Sequence, residues 1–300
     1  MSLYYPKFIM FPCFVALNLL LLANPLVAKT LHKEKSLYRN IVISEKLQQR
    51  CLHFESRKKA IASQACINLK NPDELVFQYT RSIMAGLAYN SNPKRILIIG
   101  LGGGSLPNAF AKILPQTEVI SVEIDPAVRK LAKQYFFYNE SDKIKSVIQD
   151  GRVYVKRALK QKQTFDWIIL DAFNGEYIPE HLLTVEFLTE VKNLLNKGGI
   201  VSANTFTGSQ LYHHESTTYQ KVFPELRILK SSTKGNRIIF ACHCHAIDVK
   251  LGFDSELVEQ LKVLNVNLPN LVSRISAAVD WDVSAKPLTD QFSPANLLNR

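Results

Sequence analysis

Five cysteines in 300 residues, an odd and sparse set, exclude the dense disulfide framework of a small secreted scaffold. The run Cys242-His243-Cys244-His245 has the composition of a metal site. It closes an apolar strand, where alternate residues face opposite ways, and no second ligand pair lies elsewhere. Buried thiols are expected there, and no metal. Internal repeats and low-complexity tracts are also missing, which excludes a solenoid or a disordered tail. The net charge of +11 points to an anionic partner, but no aromatic-interleaved basic stripe and no nucleic-acid motif accompany it. Lys and Arg are scattered, with mild clusters at Lys29–Arg39 and Arg57-Lys58-Lys59, so no nucleic-acid partner is expected.

Hydrophobic residues make up 47% of the chain, enough for a globular core in one large domain or two modest ones. One run is apolar enough to matter to a membrane, Phe8–Ala28, with Lys7 as a minimal positive flank and Leu26-Val27-Ala28 as a small-residue cleavage site. It reads as a secretory signal peptide or as an uncleaved anchor. The positive charges follow it (Lys29, Lys33, Lys35, Arg39), so an anchored chain would keep its catalytic part in the cytoplasm, whereas a cleaved one would be exported. Residues 1–28 therefore stand outside the fold.

The chain is organised around Arg95-Ile-Leu-Ile-Ile-Gly-Leu-Gly-Gly-Gly-Ser-Leu106. A short apolar run ending in glycines, followed by a helical pattern, reads as a buried strand, a tight turn and a helix N-terminus. Gly100, Gly102 and Gly104 would let the backbone approach a ligand, which the free N–H groups of the helix start then face. A second strand, Thr117–Ile124, brings Glu123 to the position from which an acid accepts ribose hydroxyls. Ser105 stands at the sixth place of the dinucleotide fingerprint, so the looser G-x-G-x-G spacing of adenosyl-sulfonium enzymes fits at least as well.

Before the glycine loop, residues 36–80 carry short strand-like pieces (Ile41–Ser44, Leu47–Phe54, Ala65–Leu69) and read as a small antiparallel β domain. Pro72, with Asp73 and Glu74 behind it, signals a helix start, and Glu74–Tyr89 reads as that helix. From Lys94 strands and helices alternate, so residues 81–300 form a parallel α/β domain. Lys145–Asp150 and Phe165–Asp171 are strands ending in acids. Leu182–Leu195 is an amphipathic helix, Ile200–Thr205 a strand, Leu226–Lys230 and Arg237–Ala241 two more strands, and Ser255–Leu264 a helix.

Ligands of open α/β sheets lie beyond the carboxyl ends of the strands, where Glu123, Asp150 and Asp171 all fall. Each also suits a helix cap, most of all Asp150 in front of Gly151. Asp171 instead precedes a long loop, Ala172–His181, of lid type. Together these ends fit an adenosine ligand: Glu123 on the ribose, Asp150 on the adenine amine, the glycine loop on the tail. Asp171 is left to face the reacting centre, where a carboxylate stabilises a sulfonium and accepts a proton from an amine.

From Leu37 onward the chain resembles the polyamine aminopropyltransferases, the spermidine synthase family. Ile99-Gly-Leu-Gly-Gly-Gly104 is similar to that family's glycine loop, Val122-Glu-Ile-Asp-Pro126 to its ribose segment and Asp150-Gly151 to its adenine pair. Phe165–Asp171 is similar to its catalytic strand. Gln64 and Asp73-Glu-Leu-Val-Phe-Gln78 resemble the stretch that closes on substrate, and Pro287-Leu-Thr-Asp290 a C-terminal segment. The resemblance implies a Rossmann-like S-adenosylmethionine-dependent methyltransferase fold, with a mostly parallel seven-stranded sheet behind the N-terminal β domain. It implies Asp171 as the catalytic base, and Gly100, Gly102, Gly104, Glu123, Asp150, Gly151 and Gln64 around the donor. Phe77, Gln78 and Asn174 would line the amine side. The donor would be decarboxylated S-adenosylmethionine, a co-substrate beside which no prosthetic group is needed. A primary amine such as putrescine would take the aminopropyl group, methylthioadenosine would leave, and the chain would form a homodimer.

Three departures fall on the amine side. The acid of the family's glycine loop is replaced around Gly103, its second aspartate by Asn174, and its tyrosine by Phe77. They keep two other readings open on the same scaffold: an S-adenosylmethionine-dependent methyltransferase, and a non-catalytic nucleoside-binding relative, membrane-associated through residues 8–28. A nicotinamide dehydrogenase is disfavoured by Ser105 and by the lack of a hydride-handling His or Tyr pair.

Overall fold

The computed structural model describes residues 1–3, 28–55, 63–173, 177–231, 235–244 and 254–294. The sequence-predicted leader, most of which falls at 4–27, lies outside them, as do Asn174 and His245. Among the described residues no helix is long and apolar enough to cross a membrane.

The N-terminal sheet is a meander of β1 (Lys29–Lys35), β2 (Asn40–Lys46), β3 (Gln49–Phe54) and β4 (Ser63–Asn68), each antiparallel to the next. β1 precedes the span 36–80 expected for this unit. Its Lys-rich sequence hides its strand character, yet charge is what a protein places on an exposed sheet edge. The cysteine reading is corrected here. Cys51 and Cys66 face each other across β3 and β4, with Cα atoms 4.1 Å apart, and are joined as a disulfide. Cys242 and Cys244 are joined likewise. Spacing along the chain does not reveal the Cys51–Cys66 pair, because the sheet register decides that those two sulfurs meet.

A turn at Asn71–Glu74 replaces the helix start predicted at Pro72. The Leu75 N–H donates to the Leu264 carbonyl instead of entering a helix. α1 begins only at Gln78, runs to Ile83 and tightens into a 3-10 turn over Met84–Ala88. The alternating region follows as β5 (Arg95–Ile99), α2 (Ser105–Ile113), β6 (Glu118–Glu123), α3 (Pro126–Tyr135), β7 (Ile144–Ile148), α4 (Gly151–Lys160) and β8 (Phe165–Leu170). A 3-10 turn at Glu180–Leu182 leads into α5 (Val185–Asn193), β9 (Leu195–Phe206), α6 (Tyr212–Val222), β10 (Leu226–Lys230) and β11 (Asn236–Cys242). α7 (Ser255–Val263) and α8 (Leu268–Ser273) come last.

The large sheet has the order β10-β11-β9-β8-β5-β6-β7. β9, β8, β5, β6 and β7 are parallel, and β11 is antiparallel to both β9 and β10. This is the mostly parallel seven-stranded sheet expected. β8 and β5 lie at its centre and are apolar on both faces, as a doubly covered parallel strand must be. Ile96, Ile98, Trp167 and Ile169 pack under α2 and α7, whereas Leu97, Ile99, Ile168 and Leu170 pack under α4, α5 and α6. A third cluster joins Ile41, Ile43, Leu52 and Ala65 of the small sheet to Val128, Leu131 and Phe136 around α3. That contact sets the N-terminal sheet over the carboxyl ends of β5 and β6.

Candidate active site

The carboxyl ends of β5, β6 and β8 converge beneath the small sheet around a cavity of about 530 Å³. The glycine loop forms one wall. Gly100, Gly102 and Gly104 have φ of 114°, 54° and 77°, the left-handed region that a side chain resists. A Cβ on Gly100 would also stand 2.4 Å from the Asp171 carbonyl oxygen, so the β5 and β8 ends touch through a missing side chain. Gly104 caps α2, whose first turn (Ser105, Leu106, Pro107) lines the cavity. An N-terminus aimed there favours an electron-rich or anionic group.

Glu123 lies at the end of β6. Its Oε2 accepts the Leu101 N–H at 3.2 Å and its Oε1 the Asp125 N–H at 3.0 Å. Burial raises its pKa and the two backbone donors oppose that rise. Each oxygen keeps a lone pair for a hydroxyl donor. Asp125 is taken up structurally: it caps α3 through the Ala127 N–H and accepts the Ser36 hydroxyl at 2.6 Å. Arg39 stacks on Phe54 at 4.1 Å and turns its charge towards Glu123 and Asp125.

Asp150 does cap a helix, accepting the Val153 N–H at 2.9 Å, while its other oxygen meets His181 at 2.9 Å. Burial pushes its pKa up, but the Val153 N–H and His181 more than offset this and hold it below the ordinary carboxylate range. Gly151 follows in α4 and lines the cavity beside it. Gln64, Phe77 and Gln78 line the same cavity, where Gln78 accepts the Ser231 hydroxyl at 2.6 Å.

Asp171 stands at the end of β8. Its Oδ1 accepts the Asn204 side-chain N–H at 2.9 Å, and its Oδ2 the Tyr79 hydroxyl at 3.4 Å. Burial pushes its pKa up to about 7, against the pull of Asn204 and Tyr79. The structure thus gathers Gly100, Gly102, Glu123, Asp150, Gly151, Asp171, Gln64, Phe77 and Gln78 around one space. Gly104 stands behind the loop, where its Cβ would meet Tyr138 at 2.7 Å.

Sequence reasoning missed Tyr79, Asn204 and Asn236. Tyr79 lies two residues past Phe77 in the stretch already singled out, and it supplies the hydroxyl that Phe77 lacks. Asn204 is a buried amide near the end of β9, the largest polar side chain in that strand's buried stretch, and this is the signal that would have marked it. The Gly103 departure gains a cause: a Cβ there would lie 2.9 Å from the Ala65 Cβ and 3.1 Å from the Phe136 ring, so this loop has no room for an acid. The Pro287–Asp290 segment acts away from the cavity. Asp290 binds Arg152 through two oxygens at 2.6 and 2.7 Å and also accepts the Thr184 hydroxyl. Among the described residues no cluster of three or more metal-ligating side chains occurs.

Residues 76–227 match the spermine/spermidine synthase domain family. A polyamine aminopropyltransferase of Vibrio vulnificus is 45% identical over 273 residues, covering 89% of this chain and 91% of that protein. One from Chromobacterium violaceum is 33% identical, covering 67% and 75%. Among solved structures, a spermidine synthase in complex with the transition-state analogue AdoDATO superposes with a TM-score of 0.66. It is 23% identical and covers 84% of this chain and 85% of its own, and it shares the fold.

Proposed function

The chain belongs to the spermine/spermidine synthase family, and from that premise we propose how its cavity works. It is an aminopropyltransferase: the aminopropyl group of decarboxylated S-adenosylmethionine passes to a primary amine, and methylthioadenosine leaves. The observation that carries the reading is the carboxylate of Asp171, held between Tyr79 and Asn204 in the cavity that Glu123, Asp150 and the glycine loop complete.

Glu123 would hold the ribose diol and Asp150 the adenine amine, while the glycine loop and the start of α2 take the donor tail. Gln64 closes over it from β4. The amine arrives on the side of Phe77, Gln78 and Asp171. An ammonium has no lone pair to attack with, so it must lose a proton. A base of pKa about 7 takes that proton near neutral pH without holding it too tightly. The nitrogen pair then forms a C–N bond at the methylene beside the sulfonium, and the C–S pair returns to sulfur. Fixing both reactants in one cavity supplies much of the acceleration.

The test is release of methylthioadenosine from decarboxylated donor with putrescine, cadaverine or spermidine, alongside calorimetry of both donors. Turnover lost in Asp171→Asn, with tighter binding of the decarboxylated donor, is expected. Preference for ordinary S-adenosylmethionine would overturn the reading in favour of methyl transfer.

For location we propose an oxidising compartment. The signal-like segment 1–28 and the Cys51–Cys66 disulfide support it. Mass spectrometry of the chain from fractionated cells is expected to show a mature N-terminus after Ala28 and no free thiol at Cys51 or Cys66. An intact N-terminus with free thiols would refute it.

A further inference from the structure

We propose that Asn236 is a positioning residue for Asp171, acting through Asn204 to keep the carboxylate ionised and turned into the cavity. This rests on the aminopropyl-transfer reading.

In the antiparallel register of β9 and β11, Asn236 lies opposite Phe206 and Ile238 opposite Asn204. Asn236 and Asn204 are therefore diagonal neighbours on one face, close enough for side chains to meet. The Asn236 Nδ2 donates to Asn204 Oδ1 at 2.9 Å, and the Asn204 Nδ2 donates to Asp171 Oδ1 at 2.9 Å. All three line the cavity, and Asn204 is only 8% exposed.

An amide has one donating and one accepting end of nearly equal size. With its carbonyl held by Asn236, Asn204 can offer Asp171 only its N–H. Freed of Asn236, the amide can turn over at little steric cost and offer its carbonyl. An acceptor facing a carboxylate favours the protonated acid. A base that already carries a proton cannot take one from the incoming amine. Asn236 thus sets the direction of the chain, from a residue with no hydrogen bond to Asp171 of its own.

Tyr79 is the titratable group hydrogen-bonded to Asp171, and burial beside that carboxylate holds its phenol protonated well above its ordinary range. Glu123, Asp125, Arg39, Asp150 and His181 line the nucleoside side of the same cavity. Arg237, next on β11, lies on the opposite face against Thr205, Ser216 and Glu215.

The test compares wild type, Asn236→Asp, Asn204→Ala and the double variant. The readout is the pH profile of kcat/KM for methylthioadenosine release, with calorimetry of methylthioadenosine to check the fold. An aspartate at 236 can only accept, so it should pull the Asn204 N–H away from Asp171. In N236D the acid limb should rise by about one pH unit, the size of one charge-assisted hydrogen bond. Activity at pH 7 should fall about fivefold through kcat, with donor KM unchanged. In the N204A background the same substitution should move the limb far less. Asn236→Ala, which adds no charge, should shift the limb in the same direction by a smaller amount. An unmoved limb in N236D or N236A, or an equal shift with and without Asn204, would overturn the proposal. A folded wild type that releases no methylthioadenosine would overturn the reading beneath it.

Discussion

Asp171→Asn should make this protein more stable while making it inactive, and the size of the gain follows from the site. Asp171 sits in a buried setting that lifts its pKa from 3.8 to about 7. A carboxyl group whose folded pKa is raised binds its proton more tightly in the folded state. Its ionisation therefore costs the fold nothing below pH 3.8. The cost grows as pH rises through the window from 3.8 to 7 and is complete above it. That gap corresponds to roughly 4 kcal/mol as a ceiling. Asp171 borders an open cavity, and solvent there should reduce the cost to about 2 kcal/mol. Asparagine keeps the shape, still accepts the Asn204 N–H and carries no charge. Urea unfolding of the two proteins at pH 8 should favour D171N by about that amount, and the advantage should shrink towards pH 4. Methylthioadenosine release should fall at least about a hundredfold in the same variant. Equal stability at pH 8, or a difference that ignores pH, would refute the argument that burial destabilises this carboxylate. The trade of stability for chemistry is the expected one for a site that keeps a charge in a poor solvent.

Three further outcomes follow from particular contacts. Tyr79→Phe removes a donor 3.4 Å from Asp171, so the acid limb of the rate profile should move up and kcat fall by about threefold to tenfold, a modest loss because that bond is long. Gly103→Asp restores the acid of the family's loop in sequence but should not restore diamine binding. Its Cβ would press on Ala65 and Phe136, costing about 1–3 kcal/mol in a denaturation curve, and a lowered putrescine KM with unchanged stability would contradict this. Cys51→Ser with Cys66→Ser opens a link across 15 residues and should cost about 3 kcal/mol. Faster hydrogen exchange in β3 and β4 should accompany weaker donor binding, because β4 carries Gln64 and Ala65 to the glycine loop.

The sequence by itself determined what depends on neighbours along the chain. The apolar run 95–99 with glycines at 100, 102 and 104 specifies a strand, a turn and a helix start, because the φ values required there exclude side chains. Glu123, Asp150 and Asp171 were legible as strand ends, and strand ends in a parallel sheet all face one crevice. Asp150 before Gly151 announced a helix start through local capping. Only the tertiary structure decided what surrounds Asp171. Tyr79 reaches it across 92 positions, Asn204 across 33, and Asn236 reaches Asn204 across 32. The same is true of the Arg152 and Asp290 pair, 138 positions apart, and of the Cys51–Cys66 link. No local propensity encodes such meetings. They arise when the sheet order and strand register are fixed by burying apolar faces, and a polar side chain then finds whichever partner that burial has left within about 3 Å.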